Sequence, residues 1–111
     1  MTYKDVADMA AAVGIPSAYY QFPNDTELAP PFLCFIYTGS DDQYADDINH
    51  QRIDGVQFEL YTDNKDFDLE AQVEQVLTGA GVSWAKEEGY LDSERMYMVT
   101  YRFEIVVTKE V

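Results

Sequence analysis

The chain is short of most of what catalysis draws on. One cysteine, Cys34, and one histidine, His50, stand among 111 residues. A lone cysteine closes no disulfide within the chain, so an oxidising compartment is not required. A lone histidine leaves any triad or two-histidine metal site to be completed by carboxylates or by a second copy. Positive charge is scarce as well: seven Lys and Arg face twenty-one Asp and Glu, for a formal net charge of -14. Such a surface repels nucleic-acid phosphates and anionic lipid, which disfavours binding to either. No run approaches the ~18 consecutive apolar residues of a membrane span, and Met1 to Asp8 lacks the apolar core of a secretory leader. A protein that stays soluble in the cell that makes it is expected.

The glycines and the cysteine offer no chemistry. Cys34 lies in the apolar run Phe32-Leu-Cys-Phe-Ile36 with no basic neighbour to lower its pKa, the setting of a packing residue. Gly79-Ala-Gly81 follows a helix rather than a strand and lacks Gly-x-Gly-x-x-Gly spacing, so it reads as a helix stop and turn. No catalytic, cofactor-binding or metal residue is assigned, and the chain is expected not to be an enzyme.

What is present is framework. Residues 95 to 107 alternate at period two, with Tyr97, Val99, Tyr101, Phe103, Ile105 and Val107 on one face and Met96, Met98, Thr100, Arg102 and Glu104 on the other. The second face mixes Met with charge, which suits packing against a neighbouring chain. Thr2 and Asp5 form a capping-box pair for a helix over about 3–13, stopped by Gly14. A short strand is expected over 17–22. Phe32 to Tyr37 is a continuous apolar strand, expected to be central and covered on both faces. His50 to Thr62 alternates with Val56, Phe58 and Leu60 inward, Gln57, Glu59 and Tyr61 outward, and Gly55 at a bulge or close approach. Asp66 caps a second helix over about 67–78, stopped by Gly79. Residues 82–86 and 90–91 read as an edge strand broken by Glu87-Glu88-Gly89.

The order α-β-β-β-α-β-β, without linker or repeat, predicts one α+β domain over 1–111. Its sheet has four to five mostly antiparallel strands, with two helices on one face. The opposite face must then meet water or a partner.

Residues 41 to 49 are acidic with no helical or strand period and read as an exposed loop. Asp41, Asp42, Asp46 and Asp47 supply oxygens, but neither EF-hand spacing nor its closing Glu is there, so a solvated or partner-facing loop is expected. Paired carboxylates suitable for glycoside hydrolysis carry little information among so many acids. Aromatics make up 14% of the chain. Tyr19, Tyr20, Tyr44 and Tyr61 are too many for one small core, and tyrosine suits interfaces. The candidate interaction residues are Asp41, Asp42, Tyr44, Asp46, Asp47, Tyr61, Met96, Met98 and Arg102.

Over nearly its whole length, through Tyr3-Lys-Asp-Val-Ala-Asp8, Ala18-Tyr-Tyr-Gln-Phe-Pro23, Pro30-Pro-Phe32, Gly39-Ser-Asp-Asp42, Glu59-Leu-Tyr-Thr-Asp63 and Lys65-Asp-Phe67, the chain resembles head–tail joining proteins of long-tailed phages and prophages. The tail-terminator, or tail-completion, type is the nearest in pattern. The resemblance implies a non-enzymatic virion protein, assembled in the host cytoplasm. It would form a ring, commonly hexameric, on the last tail-tube subunits and dock the tail to the head connector or stopper. Its partners would be itself, the tail-tube protein and the connector, with DNA passing through the ring unbound. Another neck or minor capsid component is an alternative. A reading of a different class is an acidic mimic of DNA that occupies the groove of a nucleic-acid-binding protein.

Overall fold

In the computed structural model, residues 1–21, 29–40 and 52–108 are described. The elements run α1 (Tyr3–Ala12), β1 (Ser17–Tyr19), β2 (Phe32–Ser40), β3 (Ile53–Thr62), α2 (Phe67–Gly79), β4 (Trp84–Leu91) and β5 (Met96–Val106). The five strands make one sheet in the order β1-β2-β3-β5-β4. All pairs are antiparallel except β1 with β2. This is the α+β arrangement expected from the element order.

The longest pairing is β3 with β5, from Ile53 opposite Val106 to Thr62 opposite Tyr97. Strict alternation on both strands puts Val56, Phe58 and Leu60 on the same side as Val99, Tyr101 and Phe103, all of them buried. A one-residue slip would turn both sets outward, so this register is strongly specified. Phe58 meets Phe103 edge-on with centroids 5.2 Å apart, and Phe35 of β2 extends the row at 6.2 Å. Onto this face the helices deliver Val6, Met9 and Ala10 from α1 and Leu69, Val73 and Leu77 from α2, closing a single core.

Both helices start where side-chain chemistry tells them to. The Asp5 N–H donates to Thr2 Oγ1 at 3.1 Å and the Thr2 N–H to Asp5 Oδ2 at 2.8 Å, the reciprocal capping box expected from sequence. Asp66 accepts from the Leu69 N–H at 3.0 Å. At its far end α2 runs through Gly79. The chain leaves the helix at Gly81, whose φ is +79, with the Gly81 N–H on the Thr78 carbonyl and the Val82 N–H on the Leu77 carbonyl. This two-bond stop places the required glycine two residues later than the sequence suggests.

Four other expectations need correction. β1 is three residues long rather than six, and it runs parallel to β2. β2 is not fully covered on both faces: Leu33 and Phe35 enter the core, whereas on the side with no helix among the described residues Phe32 and Ile36 stay partly exposed, although Cys34 between them is buried. Its register shifts between Tyr37 and Gly39, so the strand continues to Ser40. β4 is one unbroken strand, because Glu87 and Glu88 each find a cation, Arg102 and Lys65. Gly55 does sit at a close approach, since a Cβ there would overlap the Thr38 hydroxyl. His50 and the acidic stretch 41–49 lie outside the described residues.

The two glycines around the end of α2 separate by sign. Gly79→Ala, helical with open space around its Cβ position, should raise stability by up to about 1 kcal/mol. Gly81→Ala, forced into a left-handed conformation, should lower it by about 1 kcal/mol. Chemical denaturation of the two variants checks both.

Candidate assembly surface

The face of the sheet that carries no helix among the described residues is assembled by register. Its first row is Phe32 (β2), Tyr61 (β3), Met98 (β5) and Gly89 (β4), flanked by the Met96 and Leu91 pair. The second row is Cys34, Glu59, Thr100 and Glu87, and the third is Ile36, Gln57, Arg102 and Ala85. The face thus grades from an apolar band to a polar belt. Phe32 stacks on Tyr61 with centroids 4.9 Å apart.

The polar belt satisfies itself. Arg102 donates from Nε to Gln57 Oε1 at 3.0 Å and from a terminal nitrogen to Glu87 Oε2 at 2.8 Å. Gln57 Nε2 donates to Glu59 Oε2 at 2.8 Å, and the Tyr61 hydroxyl donates to Glu59 Oε1 at 3.0 Å. One chain of hydrogen bonds therefore joins β4, β5 and β3 across the face. A face wired in this way can be dehydrated without leaving charged groups unpaired, the condition for covering it with another protein. Burial, then the Glu59 charge and the bond to it, push the Tyr61 hydroxyl far up, so it stays a donor. Burial, helped by Glu59, lifts the Cys34 thiol to about 11, which leaves it an unreactive thiol. Beside the belt, a shallow groove of about 600 Å³ opens between Thr38, Gly55, Ala85, Arg102 and Glu104, where Gly55 contributes no side chain.

Four of the residues singled out from sequence, Tyr61, Met96, Met98 and Arg102, come together on this one face. The other five, Asp41, Asp42, Tyr44, Asp46 and Asp47, lie outside the described residues. Sequence reasoning missed Phe32 and Cys34, which it assigned to a doubly covered strand, and the coupling of Gln57 and Glu87 through Arg102, which depends on register. Among the described residues no group of three or more His, Cys, Asp or Glu is placed to hold a metal ion. No helix among them is long and apolar enough to cross a membrane.

On the helix side, the β4 edge is fastened by ions. Glu70 of α2, 3% exposed, lies 2.6 Å from Lys65 and 2.8 Å from Lys86; Lys65 reaches on to Glu88, and Lys86 to Glu74 at 2.8 Å. Tyr101 donates to Glu74 Oε2 at 2.8 Å. Burial works against the charge on Glu74, yet the bonds from Lys86 and Tyr101 outweigh it and hold the carboxyl below its ordinary value. Burial likewise opposes the charge on Lys86, and Glu70 and Glu74 outweigh it and raise the ammonium.

No protein-family model matches the chain, and no curated protein does. Among solved structures, a chain from the virion of a native gene transfer agent (GTA) particle has the same fold. The superposition gives a TM-score of 0.58 at 16% identity and covers 92% of this chain and 87% of that one.

The ion network sets a pH window. Glu74, lowered on folding, contributes above its unfolded value of 4.5, and that contribution is lost as pH falls through the lower folded value. Lys86, raised on folding, contributes below 10.5, and that contribution is lost as pH rises through the folded value. Lys86→Met should cost about 1–3 kcal/mol at neutral pH by depriving the buried Glu70 carboxylate of one of its two cations and Glu74 of its own. It should also flatten both limbs of a stability profile followed by denaturant titration.

Proposed function

We propose that this chain is a structural protein of a phage-like virion, of the tail-terminator type. It forms a ring at the head-proximal end of the tail tube and joins the tail to the head connector, without catalysis. The observation that carries this reading is the open sheet face, with its apolar band of Phe32, Tyr61, Met98 and Met96 beside a self-satisfied polar belt. A domain that acts by being covered, rather than by enclosing a substrate, is what a neck component requires. The fold shared with a chain of a gene transfer agent virion supports the same reading, as does the sequence resemblance.

The charge has a part in it. A net charge of -14 per subunit around a channel lets a duplex pass without sticking, because few phosphates are neutralised. The open face packs on a neighbouring virion protein, and the edges of the sheet are left for neighbours within the ring. The protein would reach its place from the host cytoplasm and remain in the virion neck.

Electron microscopy of the purified protein mixed with the tail-tube protein of the same particle tests the role. The expected result is uniform rings capping one end of each tube and stopping its growth. Met98→Glu, which places an unpaired charge in the apolar band, should reduce the capped fraction by about tenfold or more. Tubes that stay uncapped and keep growing contradict the role. If the protein instead elutes tightly bound to a basic nuclease and ignores tubes, the acidic-mimic reading takes its place.

A further inference from the structure

The most exposed aromatic side chains are not on the open face. Tyr3, Tyr19 and Tyr20 are 45%, 52% and 64% exposed, and Phe67 and Tyr90 are 71% and 48% exposed. The first group lies at the β1 edge of the sheet beside α1, joined through Tyr37 by centroid distances of 5.1 Å to Tyr3 and 5.7 Å to Tyr19, with Tyr20 6.3 Å beyond Tyr19. The second lies at the β4 edge beside the start of α2. There Lys65 sits 4.8 Å over the Phe67 ring and also holds Glu88, while Tyr90 packs on Tyr97. The strand order puts these patches on opposite ends of the sheet, roughly 20 Å apart at ~4.8 Å per strand.

The two patches are complementary in hydrogen bonding. Five of the chain's seven cations, Lys4, Arg52, Lys65, Lys86 and Arg102, are already engaged with its own carboxylates. Of the other two, Arg95 is exposed in the turn between β4 and β5, so most donors left for contacts between copies are neutral. Within the chain, tyrosine fills that role: Tyr3 donates to Asp54 at 2.8 Å, Tyr61 to Glu59 at 3.0 Å and Tyr101 to Glu74 at 2.8 Å. At the β1 edge the Tyr19 and Tyr20 hydroxyls are donors without a partner among the described residues. At the β4 edge Asp68, exposed in the first turn of α2 and following Phe67 in the chain, is an acceptor without a partner among the described residues.

The edges also differ in backbone. β1 is blunted: it is three residues long, follows Pro16, and its Tyr19 carbonyl is taken by the Gln21 N–H at 2.7 Å. It cannot extend a neighbour's sheet, so contact at this end falls to side chains.

We propose that copies of this chain meet head to tail across these edges, with the Tyr19 and Tyr20 side chains of one copy on the Phe67, Tyr90 and Asp68 surface of the next. Two different patches at opposite ends make a heterologous contact, which generates a closed ring when the rotation closes. Neutral phenol donors bind carboxylates without adding charge of either sign, so a strongly acidic subunit can pack against itself once long-range repulsion is screened. The inference rests on the ring reading above and names the surfaces that form the ring.

The test uses sedimentation velocity of the full chain in about 0.5 M sodium chloride, where screening limits charge interactions to roughly 4 Å. Two substitutions each remove one patch: Tyr20→Asn, chosen because Asn tolerates the left-handed φ of 68, and Phe67→Ser, at a solvent-facing ring. Circular dichroism confirms that each is folded. Wild type should associate, each variant alone should remain monomeric, and an equimolar mixture should form dimers, since one intact patch of each kind survives. Tyr20→Phe, which keeps the ring and loses the hydroxyl, should weaken association about tenfold. A mixture that stays monomeric, variants that associate like wild type, or a wild type that never associates overturns the contact. Rings that cap tail tubes despite both substitutions also overturn it and leave the virion role standing. Head-to-tail pairing in a protein that never caps tubes does the reverse.

Discussion

A sheet has two faces, and the two helices among the described residues pack on one of them. Leu33, Phe35, Val56, Phe58, Leu60, Val99, Tyr101 and Phe103 are sealed by α1 and α2 into one core. On the reverse side Phe32, Ile36, Tyr61, Met96 and Met98 are partly exposed, with Phe32 stacked on Tyr61. Burial of apolar area at about 25 cal/mol per Å² rewards any neighbour that completes the layer. The remaining features of the molecule follow from that unfinished layer and from the shortage of positive charge.

The shortage of cations shapes every polar contact. With seven of them for twenty-one acids, three are placed where they relieve more than one carboxylate or tie together separate elements. Lys65 and Lys86 converge on Glu70 and bind α2 to β4, and Arg102 spans β3 to β4. Tyrosine hydroxyls take over where cations run out. Because the Arg102 belt leaves few groups needing water, the open face can be covered at low desolvation cost, and electrostatics do not oppose the apolar band beside it.

Much of this was legible in the sequence, for identifiable reasons. The alternation in residues 95–107 and in Val56 to Leu60 comes from the pleat itself, so both central strands and their buried faces could be read directly. The Thr2 and Asp5 pair announced α1 because capping is local chemistry. Tyr61, Met96, Met98 and Arg102 share one face because strand alternation sends them outward together, which the sequence pattern already shows. What failed depends on distant partners. Glu87 and Glu88 looked like a break because Arg102 and Lys65, which neutralise them, come from other elements. The run from Phe32 to Tyr37 looked doubly covered because a partly exposed apolar face has the same composition as a buried one. The two aromatic edges could not be separated from sequence, since their opposition follows from β5 inserting between β3 and β4.

The central claim is that the open face is a contact surface in the assembled particle. Oxidative footprinting reads it directly, because Met96 and Met98 are partly accessible in the free chain and thioethers oxidise readily. The account predicts that both methionines are oxidised in the free protein and protected once it is bound to its tail tube. Equal oxidation in the free and bound states would contradict it.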